Sequence, residues 1–474
     1  MTTNPTSTSA ATVLTDTSEH DVPSPPKPVS QAERIQTIDI LRGVALLGIL
    51  LMNIPYFSMA ERFSDAFNHN PRNVNFWLDA VITVLFEGKM RALFSMIFGV
   101  GIILFMARKE KSGNPSTTGQ SATGPSRVRL FFQRMGWLVL FGLIDSHVLL
   151  WMGDILYYYG VIGMIAFWFR RMKPVYLALG VPLVAIVGFA LNTMFYQSIR
   201  EKRLAFLAAQ KTQQQGQTLT QNQQQAIKTW KEAEKEFFPN KAEIAEHTRK
   251  MKSPDYFTVA SRYQKEVWDA QTKYLVFQLW DPLALMLLGM ALYQWGFVTG
   301  QWPRRRYWQM MLLGYGLGLS LVTFSFYYYY QNIPNSWAFI PFMEQHPVQW
   351  VALIYPFQRI LLVMAHASLI ILLVKGRVVQ GLLNRLAAVG QMAFTNYVMH
   401  TLICTSVFYG YGLNQYAEWE FYQLYFLVAA IWTLQLIVSP IWLRHFQFGP
   451  LEWAWRSLTY WQRQPMRPSP INAD

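Results

Sequence analysis

The sequence predicts an all-α polytopic membrane protein with about ten transmembrane helices, and three observations lead there. Of its 474 residues 52% are hydrophobic and only 14% are charged, whereas a soluble domain carries about 25% charged residues. Apolar runs recur at lengths near the roughly 20 residues that a helix needs to cross a bilayer. Aromatic residues make up 16% of the chain, as expected where Trp and Tyr collect at two membrane–water interfaces. The formal net charge of +14 has a topological cause, because most Lys and Arg fall in loops between apolar runs. Nucleic acid is therefore excluded as a partner, and the lipid bilayer is the first one expected. The one cysteine, Cys404, leaves no internal disulfide and no cysteine-based metal site. No other metal-ligand spacing occurs.

Residues 1–33 are rich in Ser, Thr and Pro, lack an apolar core and read as a disordered tail, not a cleaved leader. The first span, 38–57, follows a polar entry with Arg34, Asp39 and Arg42, and ends near Asn53 and a proline. A polar loop with Arg62, His69 and Arg72 leads to a short apolar segment, 76–86, which is too short to cross and belongs at the interface. The second span is 90–106, followed by a basic Gly/Ser-rich linker that includes Arg127, Arg129 and Arg134. A tight turn at 151–154 joins the third span, 136–150, to the fourth, 155–169. Arg170, Arg171 and Lys173 precede the fifth, 175–196.

Residues 198–273 are Gln-, Lys- and Glu-rich with helical stretches and no spanning run, which marks a polar helical insertion. Spans six to ten follow at 275–297, 310–329, 351–374, 392–411 and 422–443, with a basic, Trp-rich tail behind them. Loops at 108–134, 170–173, 301–307 and 375–391 are basic, whereas those at 151–154, 331–350 and 412–421 contain no Lys or Arg. Both termini are thus expected in the cytoplasm and the insertion outside. The first outer loop, with Arg62 and Arg72, is the one exception. The expected division is a cytoplasmic tail (1–33), an N-terminal membrane half (34–197), the extracytoplasmic insertion (198–273), a C-terminal membrane half (274–462) and a second cytoplasmic tail (463–474).

Ionisable groups within a membrane are functional candidates by default. Asp39 and Arg42 are three apart and share a helix face. Glu87, Lys89 and Arg91 stand at the outer mouth of the second span, either as an interfacial ion cluster or as a group facing the same cavity as Asn53. Asp154, after Gly153, suits a helix cap. Asp145 and His147 lie in the outer half of the third span but point to different faces. Asn396 and His400 are four apart on one face of the ninth span. Arg359, seven residues before His366, needs a partner, for which Asp281 is a candidate.

The stretches TIDILRGVALLGILLMNI, LFEGKMRALFSMIFGVG, WMGDILYYYGVIGM, GQMAFTNYVMHTLIC and FGPLEWAWRSLTYW resemble the YeiB family of bacterial inner-membrane proteins. That family in turn looks like a branch of the transmembrane acyltransferase superfamily, beside heparan-α-glucosaminide N-acetyltransferase and the acyltransferase-three proteins. The resemblance implies transfer of an acyl group from a cytoplasmic donor such as acetyl-CoA to an extracytoplasmic glycan or lipid acceptor, with no permanently bound cofactor. Arg42 matches the Arg at the start of the first span in acyltransferase-three enzymes. Asn53 stands where those enzymes carry His, as in the glucosaminide branch.

Arg42, Arg134, Arg304 and Arg305, with Asp39, then become the donor-binding set. Asn53 becomes a donor to a carbonyl or oxyanion, and His147, His69, His400 and Glu87 the candidate bases. Two other function classes compete with this one: a transporter or flippase using Asp281, Arg359 and Asn396 along a path, and a structural or regulatory envelope protein. A homo-oligomer is compatible with each.

Overall fold

The structure, a computed structural model, describes residues 35–59, 71–107, 126–238, 240–334 and 337–467. Among these residues all regular structure is helical. The N-terminal part comprises α1 (Gln36–Ser58), α2 (Val74–Leu85), α3 (Lys89–Ala107), α4 (Arg127–His147), α5 (Leu156–Ala166) and α6 (Pro174–Gln214). Next come α7 (Gln221–Phe237), α8 (Lys241–Met251) and α9 (Tyr256–Gln271). The C-terminal part contains α10 (Leu275–Gln294), α11 (Arg304–Asn332), α12 (Phe339–Gln345), α13 (Trp350–Gly376) and α14 (Gln380–Gln391). It ends with α15 (Ala393–Phe408), α16 (Phe421–His445) and α17 (Pro450–Tyr460).

A helix stands at each of the ten predicted spans. Seven helical stretches are long and apolar enough to cross a membrane: α1, α2 with α3, α6, α10, α11, α13 and α16. The chain is therefore a multi-pass membrane protein. Outside those seven, α4 opens with charged residues, and α5 and α15 have 11 and 16 residues. Helix starts follow local chemistry. Asn73 and Ser126 accept backbone N–H bonds at the heads of α2 and α4, and Thr220 and Asn240 form capping boxes on α7 and α8.

Close backbone approach sets the packing. A Cβ on Gly43 of α1 would fall on the Leu386 carbonyl of α14, and one on Gly390 of α14 would fall on the Asp39 carbonyl. Gly99 of α3 and Gly289 of α10 make the same reciprocal contact through the carbonyls of Met286 and Met96. Small residues at such crossings let helix backbones touch where apolar burial alone supplies no drive between helices. Prolines add a second device. Pro55 in α1 cannot bond the carbonyl of Leu51, and Tyr425 Oη of α16 donates to that oxygen at 3.2 Å. Pro440 in α16 likewise frees the Leu436 carbonyl, which accepts from Arg385 Nη1 of α14 at 3.1 Å.

One expectation changes. Residues 375–391, read as a basic loop, contain α14, in which Leu383, Ala387, Ala388 and Val389 are buried. That helix is too short to register as a span. The helix of the fifth span runs on past 196 into the insertion, to Gln214. The switch from apolar to Gln- and Lys-rich sequence changes the solvent around a helix without ending it.

The segments predicted on one side gather at one end of the bundle. Ala417 N–H bonds the Ser58 carbonyl at 2.7 Å, Tyr409 Oη the Leu150 carbonyl at 3.1 Å, and Gly410 N–H the Met251 carbonyl of α8 at 2.8 Å. At the other end Gln36 bonds Asn384 at 2.8 Å, Lys375 the Gly300 carbonyl at 2.7 Å, and Trp455 the Arg134 carbonyl at 2.9 Å. We call these the outer and inner ends.

Candidate functional site

Gly88 (φ +69°) makes the turn between α2 and α3, a conformation that a side chain would strain. Its missing Cβ also leaves room for the Tyr355 hydroxyl. The turn aims Lys89 and Arg91 differently. Lys89 is buried, and its Nζ donates to the Thr83 carbonyl at 2.6 Å, in the last turn of α2. Arg91 stays partly open, with 47% of its side chain exposed, and Nη2 lies 3.4 Å from Asp281 Oδ2.

Asp281 of α10 is also held by Arg359 of α13: Nη1 donates to Oδ2 at 2.9 Å and Nη2 to Oδ1. Arg359 is 1% exposed and lies against Tyr355, 4.8 Å from its ring centre. The sequence candidates Arg91, Asp281 and Arg359 thus form one cluster in the outer half of the bundle, two cations around one carboxylate. Glu87 is exposed, and Asn53 is half-buried near the outer end of α1. Neither side chain has a hydrogen-bond partner among the described residues.

The candidate bases divide. His147 Nε2 meets Gln271 Oε1 of α9 at 2.9 Å, while Gln271 Nε2 donates to Ser146 Oγ at 3.0 Å. The residue clamps α9 to α4. Asp145 does not orient His147; it is buried beside Thr401, whose Oγ1 donates to Oδ2 at 3.4 Å. Asp154 accepts from Leu156 N–H at 3.0 Å and Tyr157 N–H at 2.9 Å, the expected cap of α5. His400 and Asn396 are buried between α15 and α16, where Gln435 bonds both of them. His69 lies outside the described residues.

At the inner end, Arg42 Nη1 donates to Asp39 Oδ1 at 2.9 Å and reaches the Gly390 carbonyl at 3.4 Å. Arg134 lies 3.7 Å from the Trp455 ring centre and within electrostatic reach of Arg42. Arg304 and Arg305 do not join them: Arg304 donates to the Lys375 carbonyl at the end of α13, and Arg305 is exposed. A cavity of about 430 Å³ opens beside Asp39 between α1, α14 and α16, with Gln36, Asn384, Gln391 and Arg444 in its walls.

Two positions escaped the sequence reading. Arg444 was one cation among many in a basic tail. Glu452 of α17 caps α15: Oε1 accepts from Phe394 N–H at 2.6 Å and Thr395 N–H at 3.1 Å, and Oε2 from Thr395 Oγ1 at 2.6 Å. Burial raises the Glu452 carboxyl above its ordinary pKa, against the lowering by those bonds. An acidic residue alone in the Trp-rich FGPLEWAW stretch was the signal. Glu452→Ala should cost about 1–2 kcal/mol, the range for losing a helix cap. Hydrogen exchange should rise first at Phe394 and Thr395, and unchanged protection there would refute the cap.

The family described as a protein of unknown function, DUF418, matches residues 292–462. YxaH of Bacillus subtilis is 26% identical over 458 residues, covering 93% of this chain and 98% of its own. YeiB of Escherichia coli is 28% identical over 439 residues, covering 90% and 96%. The chain is similar to YxaH and YeiB over nearly its whole length. No solved structure matches it significantly. The YeiB-type stretches meet one another in space: RGVALLG and GQMAF through Gly43 and Gly390, and FGPLEW and AFTNY through Glu452.

Proposed function

We propose that this protein transfers an acyl group across a bacterial inner membrane, from a cytoplasmic acyl-CoA such as acetyl-CoA to a hydroxyl or amine of an extracytoplasmic glycan or lipid. The thioester C–S bond breaks, an ester or amide bond forms, and the acceptor's proton ends on a base while the thiolate leaves. The observation that supports this reading is the disposition of charge on the packed pair α1 and α3. Asp39, held by Arg42, borders a cavity at the inner end, and Arg91 of α3 stands with Asp281 and Arg359 in the outer half of the bundle. Arg42 and Asn53 on α1 are eleven residues apart, about 16 Å along the helix, roughly half a hydrocarbon core.

The test is saturable binding of acetyl-CoA and longer acyl-CoAs to the purified protein, beside an Arg42→Ala variant. Binding that weakens in the variant is the expected result. No binding across the series removes the reading. A transporter is the second reading, favoured by the buried Asp281–Arg359 pair. It predicts solute or lipid flux in vesicles without any acyl donor.

A further inference from the structure

We propose that the cavity between the inner ends of α1, α14 and α16 is a phosphate site whose cation is Arg444, and that it receives the phosphorylated end of the donor. The choice of donor rests on the acyl-transfer reading above. The carboxylate on the wall is already neutralised, because Arg42 holds Asp39 at 2.9 Å. Arg444 is the cation left over: it is exposed, lines the cavity and has no hydrogen bond or ion pair among the described residues.

The neighbouring carboxamides present donors. Asn384 Oδ1 accepts from Gln36 at 2.8 Å and Gln380 at 3.1 Å, which turns its Nδ2 toward other acceptors. Gln391 lines the cavity with its carboxamide uncommitted among the described residues. The walls are also held. Arg385 ties α14 to α16 through the carbonyl that Pro440 frees, and the Gly43–Gly390 contact fixes α14 on α1.

A guanidinium with fixed carboxamide N–H groups suits phosphate oxygens. A volume near 430 Å³ lies in the range of small-molecule sites. Phosphate reaches this position either on a soluble donor or on an inner-leaflet lipid, since Leu443 and Pro440 of the sparsely covered α16 form one wall.

Binding of acetyl-CoA, inorganic pyrophosphate and short-chain phosphatidic acid to the full-length purified protein distinguishes these sources. Wild type is compared with Arg444→Gln, Arg444→Lys and, as a charge-matched control on the outer side, Arg249→Gln. Arg444→Gln should weaken acetyl-CoA binding about ten- to hundredfold, the loss of one charge-assisted contact. Arg444→Lys should retain part of it, pyrophosphate should compete, and Arg249→Gln should bind as wild type does.

Acetyl-CoA binding by Arg444→Gln within about twofold of wild type overturns the inference and leaves the acyl-transfer reading standing. Arg444-dependent binding of phosphatidic acid without acetyl-CoA binding keeps the phosphate site and removes the acyl donor. Binding of no phosphate compound overturns the site itself.

Discussion

Arg359→Ala is expected to lower the unfolding free energy by about 3–5 kcal/mol, the cost of leaving a buried charge without its partner. Asp281 is 8% exposed and holds two guanidinium bonds from Arg359, whereas Arg91 touches it only at 3.4 Å from a half-open position. Removing Arg359 therefore strands a carboxylate among apolar helices, and Arg91 cannot restore the bidentate geometry. Replacing both partners with hydrophobic residues of similar size, Asp281→Leu with Arg359→Met, should recover most of the loss. A buried pair contributes little net stability compared with an apolar equivalent. Thermal unfolding of the two variants in one detergent checks this. If the double variant is no more stable than Arg359→Ala, the pair is not the source of the penalty. If the double variant is stable but loses transport or transfer, the pair is retained for function.

Gly390→Val should damage the inner end more than any surface change there. The added Cβ would fall on the Asp39 carbonyl, a backbone atom that cannot rotate aside. Overpacking costs about 1–3 kcal/mol where side chains yield, and here α14 must move away from α1. The Gln36–Asn384 contact, at 2.8 Å between side chains, reports that movement. A short bis-maleimide should crosslink Gln36→Cys to Asn384→Cys readily in the parent chain and poorly with Gly390→Val. Equal crosslinking would mean that the two helices tolerate the methyl groups.

Both effects concern contacts that the sequence announces only in part. Spans such as Gln36–Ser58 and Trp350–Gly376 were legible because bilayer thickness dictates the length of their apolar runs. Sidedness was legible in relative terms, because loops with and without Lys and Arg collect at opposite ends. α14 was not, since 12 residues resemble a loop when only long runs are counted. Asp281 and Arg359 were each conspicuous as charges in spans, but 78 residues separate them, and pairing across that distance depends on helix packing. His147 shows a different limit. Its position suggested chemistry, and the structure commits its ring to Gln271, a bond to a helix whose docking no local pattern reveals. Glu452 illustrates a third kind of difficulty. Its partners are backbone N–H groups, which every sequence contains and none advertises.

The continuity of α6 gives the molecule a lever. Its 41 residues extend about 60 Å, roughly twice the hydrocarbon thickness. Its far half is gripped from the side, where Arg203 binds Glu344 at 2.7 Å and Tyr196 the His346 carbonyl at 2.6 Å. A tilt of about 5° at the membrane end displaces the tip near Gln214 by about 5 Å, given that length. A spin or fluorescent label on that tip would therefore magnify rearrangements among the spans that are too small to follow inside the bilayer.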